Sequence, residues 1–258
     1  VGSGRGYYGA PAEFTVTNST LAHYTPPEKT SSFGYDQICI TTAGIANALI
    51  ENNKFFDCDA GVMVPYNYYA YSTYYSGTGT DDLIVRDNVF TDTGSIGLWM
   101  YLNTKSDDIL FEGNTMTGST SPSYGVYIQD STTNSIDVKD NDIKADVGFY
   151  SRNGKQWDVE GNTFRGIGDA SFPGVYTQSG HGTIIDNTLI DADGGISVYN
   201  VLGANDVEIA DNTVEFTSSR VPTSAMGIQV ANCGTTSEII MSGNDIEVIS
   251  NGLVVNGC

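Results

Sequence analysis

Short runs of alternating apolar and polar residues recur along the chain, each cut off by Asn, Asp, Gly or Ser. One phrase has two or three alternating apolar residues, a short polar step, an Asn, a variable residue and an apolar one. Leu49-Ile50-Glu51-Asn52-Asn53-Lys54-Phe55, Ile84-Val85-Arg86-Asp87-Asn88-Val89-Phe90 and Leu110-Phe111-Glu112-Gly113-Asn114-Thr115-Met116 are clear copies. Others centre on Asn141, Asn162, Asn187, Asn212 and Asn244, with Ile143, Phe164, Leu189, Val214 and Ile246 two places on. A second phrase follows each first one: Gly, apolar, variable, apolar. It reads Gly61-Val62-Met63-Val64, Gly97-Leu98-Trp99-Met100, Gly125-Val126-Tyr127-Ile128, Gly195-Ile196-Ser197-Val198, Gly227-Ile228-Gln229-Val230 and Gly252-Leu253-Val254-Val255, with shorter copies at Gly148 and Gly174.

The period inside both phrases is two, so they predict strands with one buried face. The phrases repeat every 21 to 35 residues or so, as coils of a solenoid do. One coil cannot bury its apolar face alone, whereas stacked coils build a continuous core with parallel strands about 4.8 Å apart. The recurring Asn suits a sharp turn that needs a left-handed residue. Stacked inward, the amides of Asn53, Asn88, Asn114, Asn141, Asn162, Asn187, Asn212 and Asn244 would hydrogen-bond from coil to coil as a ladder. The Gly opening the second phrase allows a bend that a Cβ would hinder.

This pattern resembles the right-handed parallel β-helix repeats of the pectate-lyase-like superfamily, and most nearly those of secreted and surface β-helix proteins of bacteria and archaea. The resemblance covers roughly residues 37–258 and implies an all-β, single-stranded right-handed parallel β-helix of about eight or nine coils. Residues 1–36 lack the repeat and read as an irregular arm or cap containing one strand, Phe14-Thr15-Val16. Residues 65–80 are an insertion rich in tyrosine: Tyr66, Tyr68, Tyr69, Tyr71, Tyr74 and Tyr75. This insertion serves either as a binding surface or as a cover for its own solenoid face. Val254-Val255-Asn256-Gly257-Cys258 ends on the last coil, an edge that calls for a cover from the same chain or another subunit.

Composition narrows the functions. Of 258 residues, 31 are acidic and 11 basic, a net charge of −20, which repels nucleic acid and anionic lipid and suits neutral glycans, cations or a hydrated surface. No apolar run is long enough to span a membrane, and Val1-Gly2-Ser3-Gly4 fits a mature end after cleavage. The four cysteines point to an oxidising, secreted location. Cys233 and Cys258 each lie six residues after a phrase-opening Gly, on neighbouring coils, while Cys39 and Cys58 lie about one coil apart. Pairing within the chain would staple both ends, and pairing between subunits would give head-to-tail polymers; the spacing favours the former. The sequon Asn18-Ser19-Thr20 permits N-glycosylation at Asn18.

The variable residues of the second phrase put Trp99, Tyr127, Tyr150 and Tyr176 on the outer face of one sheet in four consecutive coils. This series reads as a platform for sugar rings, a lateral interface, or a stack under a loop. Asp57/Asp59 and Asp191/Asp193 share offsets after Asn53 and Asn187 and could hold calcium, though Asx-turns explain them equally well. Otherwise no cofactor is expected. Gly180-His181-Gly182 matches one piece of the polygalacturonase-like hydrolases, but the Asn-Thr-Asp and Arg-Ile-Lys pieces are missing. His23 is remote from it, and Lys105, Arg152 and Lys155 are bases near the aromatic face that nothing singles out for lyase chemistry. The leading expectation is therefore a non-enzymatic structural subunit of a cell envelope (surface layer, sheath or filament), self-associating as an oligomer or polymer through coil ends and aromatic faces. The alternatives are a polysaccharide lyase or glycoside hydrolase, and a non-catalytic glycan-binding module.

Overall fold

The computed structural model describes residues 13–22, 38–42, 45–64, 80–91, 96–101, 106–117, 124–129, 133–166, 173–192, 194–201, 206–217, 226–247 and 251–258. The Tyr-rich insertion, His23, Lys105 and Asp193 lie outside them. The described residues form 27 strands in three parallel sheets of nine, and no helix. Each coil gives one strand to each sheet in the same order, so the chain is a right-handed parallel β-helix of nine coils. The first sheet runs from Glu13–Thr17 to Ile239–Ser242, the second from Thr20–Ala22 to Asp245–Glu247, and the third from Ile38–Thr41 to Asn251–Asn256.

The period-two pattern explains the core. Ile50, Val85, Phe111, Val138, Val159, Ile184 and Ile209 make one fully buried column inside the first sheet. Phe55, Phe90, Met116, Ile143, Phe164, Leu189 and Val214 do the same inside the second. Because the strands are in register, like side chains fall on like: Phe55 and Phe90 stack with centroids 4.6 Å apart and rings 7° from parallel.

The solenoid starts earlier than the repeat phrases suggest. Glu13–Thr17 pairs with residues 47–51 and Thr20–Ala22 with residues 54–56, so this part of the expected arm forms coil one. The first phrase is disguised there because Ser19 takes the place of the ladder Asn. Its backbone N–H still donates to Asn53 Oδ1, at 3.0 Å.

From Asn53 to Asn212, each ladder Asn uses its backbone N–H and one side-chain N–H to reach the Oδ1 of the Asn one coil ahead, at 2.8 to 3.1 Å. Its other side-chain hydrogen goes back to a carbonyl of the previous coil, as from Asn141 to Phe111 at 2.9 Å. The turn itself corrects an expectation. The left-handed residue is not the ladder Asn but the one before it: Asn18, Asn52, Asp87, Gly113, Asp140, Gly161, Asp186, Asp211 and Gly243, all with φ between 51 and 67°. Asn, Asp and Gly are the residues that accept this conformation at low cost. The labour is thus divided between two adjacent residues, one bending the chain and one bonding across coils.

Gly195 of the second phrase bends the chain as expected, with a φ of 56°, but two other glycines of that phrase work differently. A Cβ at Gly61 would lie 2.3 Å from the Phe90 ring, and one at Gly148 would lie 2.1 Å from Phe164. Neither needs a positive φ. They leave room for the inward aromatics of the second sheet rather than enabling a bend.

The three corners of the coil are unequal. Between the first and second sheets there are always two residues, from Asn18-Ser19 to Gly243-Asn244. The connections on both sides of the third sheet vary, for example residues 57–59 against 216–225 before it, and 153–155 against 65–79 after it. All the variation in repeat length therefore lies along the two borders of the third sheet.

Candidate functional site

The third sheet is chemically set apart. None of its nine strands contains Asp or Glu, although the chain has 31 acidic residues. The first sheet's strands carry, among others, Glu51, Asp82, Asp108, Glu112, Asp137, Asp158 and Glu160. An outer face free of carboxylates, on a protein of net charge −20, is bordered by the variable connections, where insertions in solenoids commonly frame a binding face.

Two outward columns run along it. The first places Met63, Trp99, Tyr127, Tyr150, Tyr176, Ser197, Gln229 and Val254 in register. The second places Gln129, Arg152, Gln178 and Tyr199 in register. Sequence reasoning found the first column and missed the second, although the signal was two places on at the same parity. Tyr199 continues the aromatic stack where Ser197 leaves room, with its centroid 5.5 Å from that of Tyr176 and its ring tilted by 32°.

The ring geometry decides what the strip can do. Tyr127 and Tyr150 stack at 4.8 Å and 14°, and Tyr150 and Tyr176 at 4.9 Å and 9°. Their flat faces are turned to one another along the solenoid axis, so the outward surface consists of ring edges and hydroxyls. Tyr127 Oη donates to Gln129 Oε1 at 2.8 Å, Tyr176 Oη to Gln178 Oε1 at 3.3 Å, and Tyr199 Oη to Gln229 Oε1. The Tyr176 phenol is held above the usual tyrosine value, chiefly by burial and then by Tyr150 and Tyr199, against the opposing charge of Arg152. Burial does the same to Tyr199, opposed by a hydrogen bond with Ser197. Both phenols therefore keep their protons and act as donors at neutral pH.

Trp99 shares the register of the tyrosines but not their exposure. It is only 8% exposed and packs with Ala60 and Ile96, flanked by Ile38, Met63, Tyr124 and Tyr127. It anchors one end of the strip and presents no ring to solvent.

The other residues of interest are dispersed. Cys39 is bonded to Cys58, and Cys233 to Cys258, with Cα separations of 5.8 and 4.4 Å. Both bonds lie within the chain and join neighbouring coils at the two ends of the stack. Asn18 is exposed in its left-handed turn.

The paired aspartates stand at one recurring corner of the coil. Asp57 and Asp59 lie on coil two and Asp191 on coil seven. Asp57 and Asp191 are left-handed turn residues, and the Asp191 carboxylate accepts from the Thr217 N–H and hydroxyl at 2.6 and 2.8 Å. Asp59 is half-buried in the bend just before Ala60–Val64, where its backbone carbonyl accepts from the Ile96 N–H of the next coil at 3.0 Å. Among the described residues no group of three His, Cys, Asp or Glu converges, at Asp57 and Asp59 or elsewhere. Asp57 and Asp191 thus turn the corners of their coils.

Gly180-His181-Gly182 has a packing origin. Trp157 is fully buried opposite Gly182, and a Cβ at Gly182 would lie 1.7 Å from the Trp157 carbonyl oxygen. A Cβ at Gly180 would lie 2.2 Å from the Gly154 carbonyl. The glycines make room for coil six, and His181 stands beside Gln156 on the outside of the first sheet.

A family model described as NosD, periplasmic copper-binding protein, matches residues 14–191. The match spans more than half of the chain, which belongs to this family. No curated protein and no solved structure matches it. No helix among the described residues is long and apolar enough to cross a membrane. Among the described residues no donor set gathers for a copper centre. Copper sites draw on imidazole, thiolate and thioether ligands, yet all four cysteines are in disulfides, Met100 and Met116 are buried in the apolar core, and the part-buried Met63, Met226 and Met241 stand on three different strands. Among the described residues, His181 is not joined by other donors in a group that could hold a metal.

Proposed function

We propose that this NosD-family chain acts outside the cytoplasm as a non-catalytic β-helix scaffold that binds an extended glycan along the outer face of its third sheet. The observation that carries the reading is the carboxylate-free Tyr and Gln strip, continuous over coils four to eight and bordered by the variable connections. Tyrosine offers a rigid amphipathic surface at small entropic cost, and carboxamides offer paired donors and acceptors. A linear polymer matches such a strip because the protein repeats its chemistry rung by rung along one axis.

A second reading is the self-associating envelope subunit. The same strip favours it, because Tyr and Arg are enriched at protein interfaces and the strands of this sheet bring no carboxylate into the contact. Affinity electrophoresis through gels containing neutral and acidic polysaccharides, run beside sedimentation velocity, separates the two. Retardation of a monomer that is lost in a Tyr127→Ala/Tyr176→Ala double variant supports the glycan scaffold. A concentration-dependent oligomer that the same variant dissociates, with no retardation by any polysaccharide, replaces it with the envelope subunit.

A further inference from the structure

Resting on the glycan reading, we propose a recognition mode and a ligand class: the strip reads the hydroxyl groups of a neutral glycan through its phenol–carboxamide pairs, not through ring faces. Three pairs share one bond: Tyr127 with Gln129 and Tyr176 with Gln178 within a strand, and Tyr199 with Gln229 of the next coil. In each, the phenol spends its only proton on the carboxamide oxygen. That bond fixes the Gln side chain and leaves its NH2 group, with two donors, pointing away from the ring. The Tyr176 and Tyr199 oxygens keep their acceptor capacity.

The strip therefore presents donors and acceptors side by side, which is the complement of a hydroxyl group that both donates and accepts. The three pairs span coils four to eight, four rung spacings, or about 19 Å at about 4.8 Å per rung. This extent suits several sugar units lying along the solenoid axis. Ring-face stacking is closed to the ligand because the faces of Tyr127, Tyr150 and Tyr176 pack on one another at 4.8 and 4.9 Å.

The charge argues for a neutral ligand. The strip carries no carboxylate, and Arg152 is its single ionised side chain. The surrounding field of a −20 protein opposes the approach of a polyanion. A neutral polyhydroxylated chain meets no such barrier and satisfies the half-buried amides.

The test uses the full chain, neutral mannan and β-glucan, and acidic alginate as probes, with affinity electrophoresis and calorimetry as readouts. Two conservative variants separate the modes: Tyr127→Phe/Tyr176→Phe, which keeps the stack and removes the hydroxyls, and Gln129→Leu/Gln178→Leu, which keeps the phenols. The proposal expects each to weaken binding to a neutral glycan at least tenfold with an unchanged melting temperature. If one variant fails to fold, the other carries the test. Unchanged affinity in the folded variants, together with loss in Tyr127→Ala/Tyr176→Ala, overturns the hydroxyl mode and leaves the glycan reading standing. Binding to alginate alone overturns the neutral class. Failure of the wild-type chain to bind any of the three removes both this inference and the reading beneath it.

Discussion

Replacing Asn141 by Ala takes four side-chain hydrogen bonds out of the middle of the ladder. Two are received from Asn114, through its backbone N–H at 2.8 Å and its side chain at 3.1 Å. Two are given, to Phe111 O at 2.9 Å and to Asn162 Oδ1 at 2.8 Å. Asn162 Oδ1 retains the backbone N–H of residue 141, so it is not orphaned. The two Asn114 donors are, and both lie in the dry interior. An unsatisfied buried donor costs about 1 to 3 kcal/mol, which puts the substitution at roughly 4 kcal/mol. In a domain of this size each kcal/mol lowers Tm by about 2 to 4 °C, so the melt should fall by roughly 8 to 16 °C. Asn244→Ala is the internal comparison. Asn244, on the last rung, receives the same two bonds from Asn212 and gives one to Ile209 O, but it is only part-buried and water can replace what is lost. Thermal melts followed by circular dichroism should show less than half the loss there. A drop at Asn141 below about 3 °C, or one equal to that of Asn244→Ala, would refute the idea that buried amide satisfaction holds the coils together.

Gly182→Ala should abolish soluble folded protein or lower its melt more than any ladder variant, since the new methyl meets the Trp157 backbone at 1.7 Å; expression yield and scanning calorimetry would show it. Asp137 is raised above the usual Asp value, chiefly by burial, with Asp158, Asp108 and Glu160 adding to it and Lys139 opposing. The fold thus favours its neutral form, and a penalty absent below the unfolded pKa develops as pH rises through the folded one. Asp137→Asn should accordingly raise Tm at pH 7 and bring no gain near pH 3, a difference that melts at the two pH values would reveal. Reducing the disulfides, which close sequence separations of 19 and 25 residues, should cost about 3 kcal/mol each. Hydrogen exchange should then rise first in the outermost coils, and uniform loss across all nine would contradict the end-staple role.

What was legible in the sequence was whatever repeats. Alternation gave the strands, the Asn-x-apolar phrase gave the second sheet, and the offsets from Gly227 and Gly252 brought Cys233 beside Cys258. The first coil was hidden because Ser19 donates through its backbone and needs no amide side chain. The left-handed residue was misplaced by one position because Asn, Asp and Gly alternate there, so no single letter marks the turn. The shared offsets of Asp57/Asp59 and Asp191/Asp193 marked a common corner of the coil, which Asp57 and Asp191 turn in the left-handed conformation. The exposure of Trp99 could not be read either, since register fixes the direction of a side chain but not what lies against it. The phenol–carboxamide pairs needed coordinates: Tyr127 and Gln129 are two apart in sequence, whereas Tyr199 finds its Gln on the next coil.

The invariant two-residue corner has a consequence for how such a molecule diversifies. It holds the left-handed turn and the ladder, so the parts that keep the stack in register are segregated on one edge of the prism. The opposite face carries the tyrosines and is bordered by connections that differ from coil to coil. Substitutions and insertions that reshape the recognition surface can therefore accumulate without reaching the hydrogen bonds that define the backbone. Duplicating or deleting a whole coil would lengthen or shorten the strip by one step and leave the cross-section intact. Selection could in this way tune reach and specificity separately, much as a ruler can be cut to length without redrawing its marks.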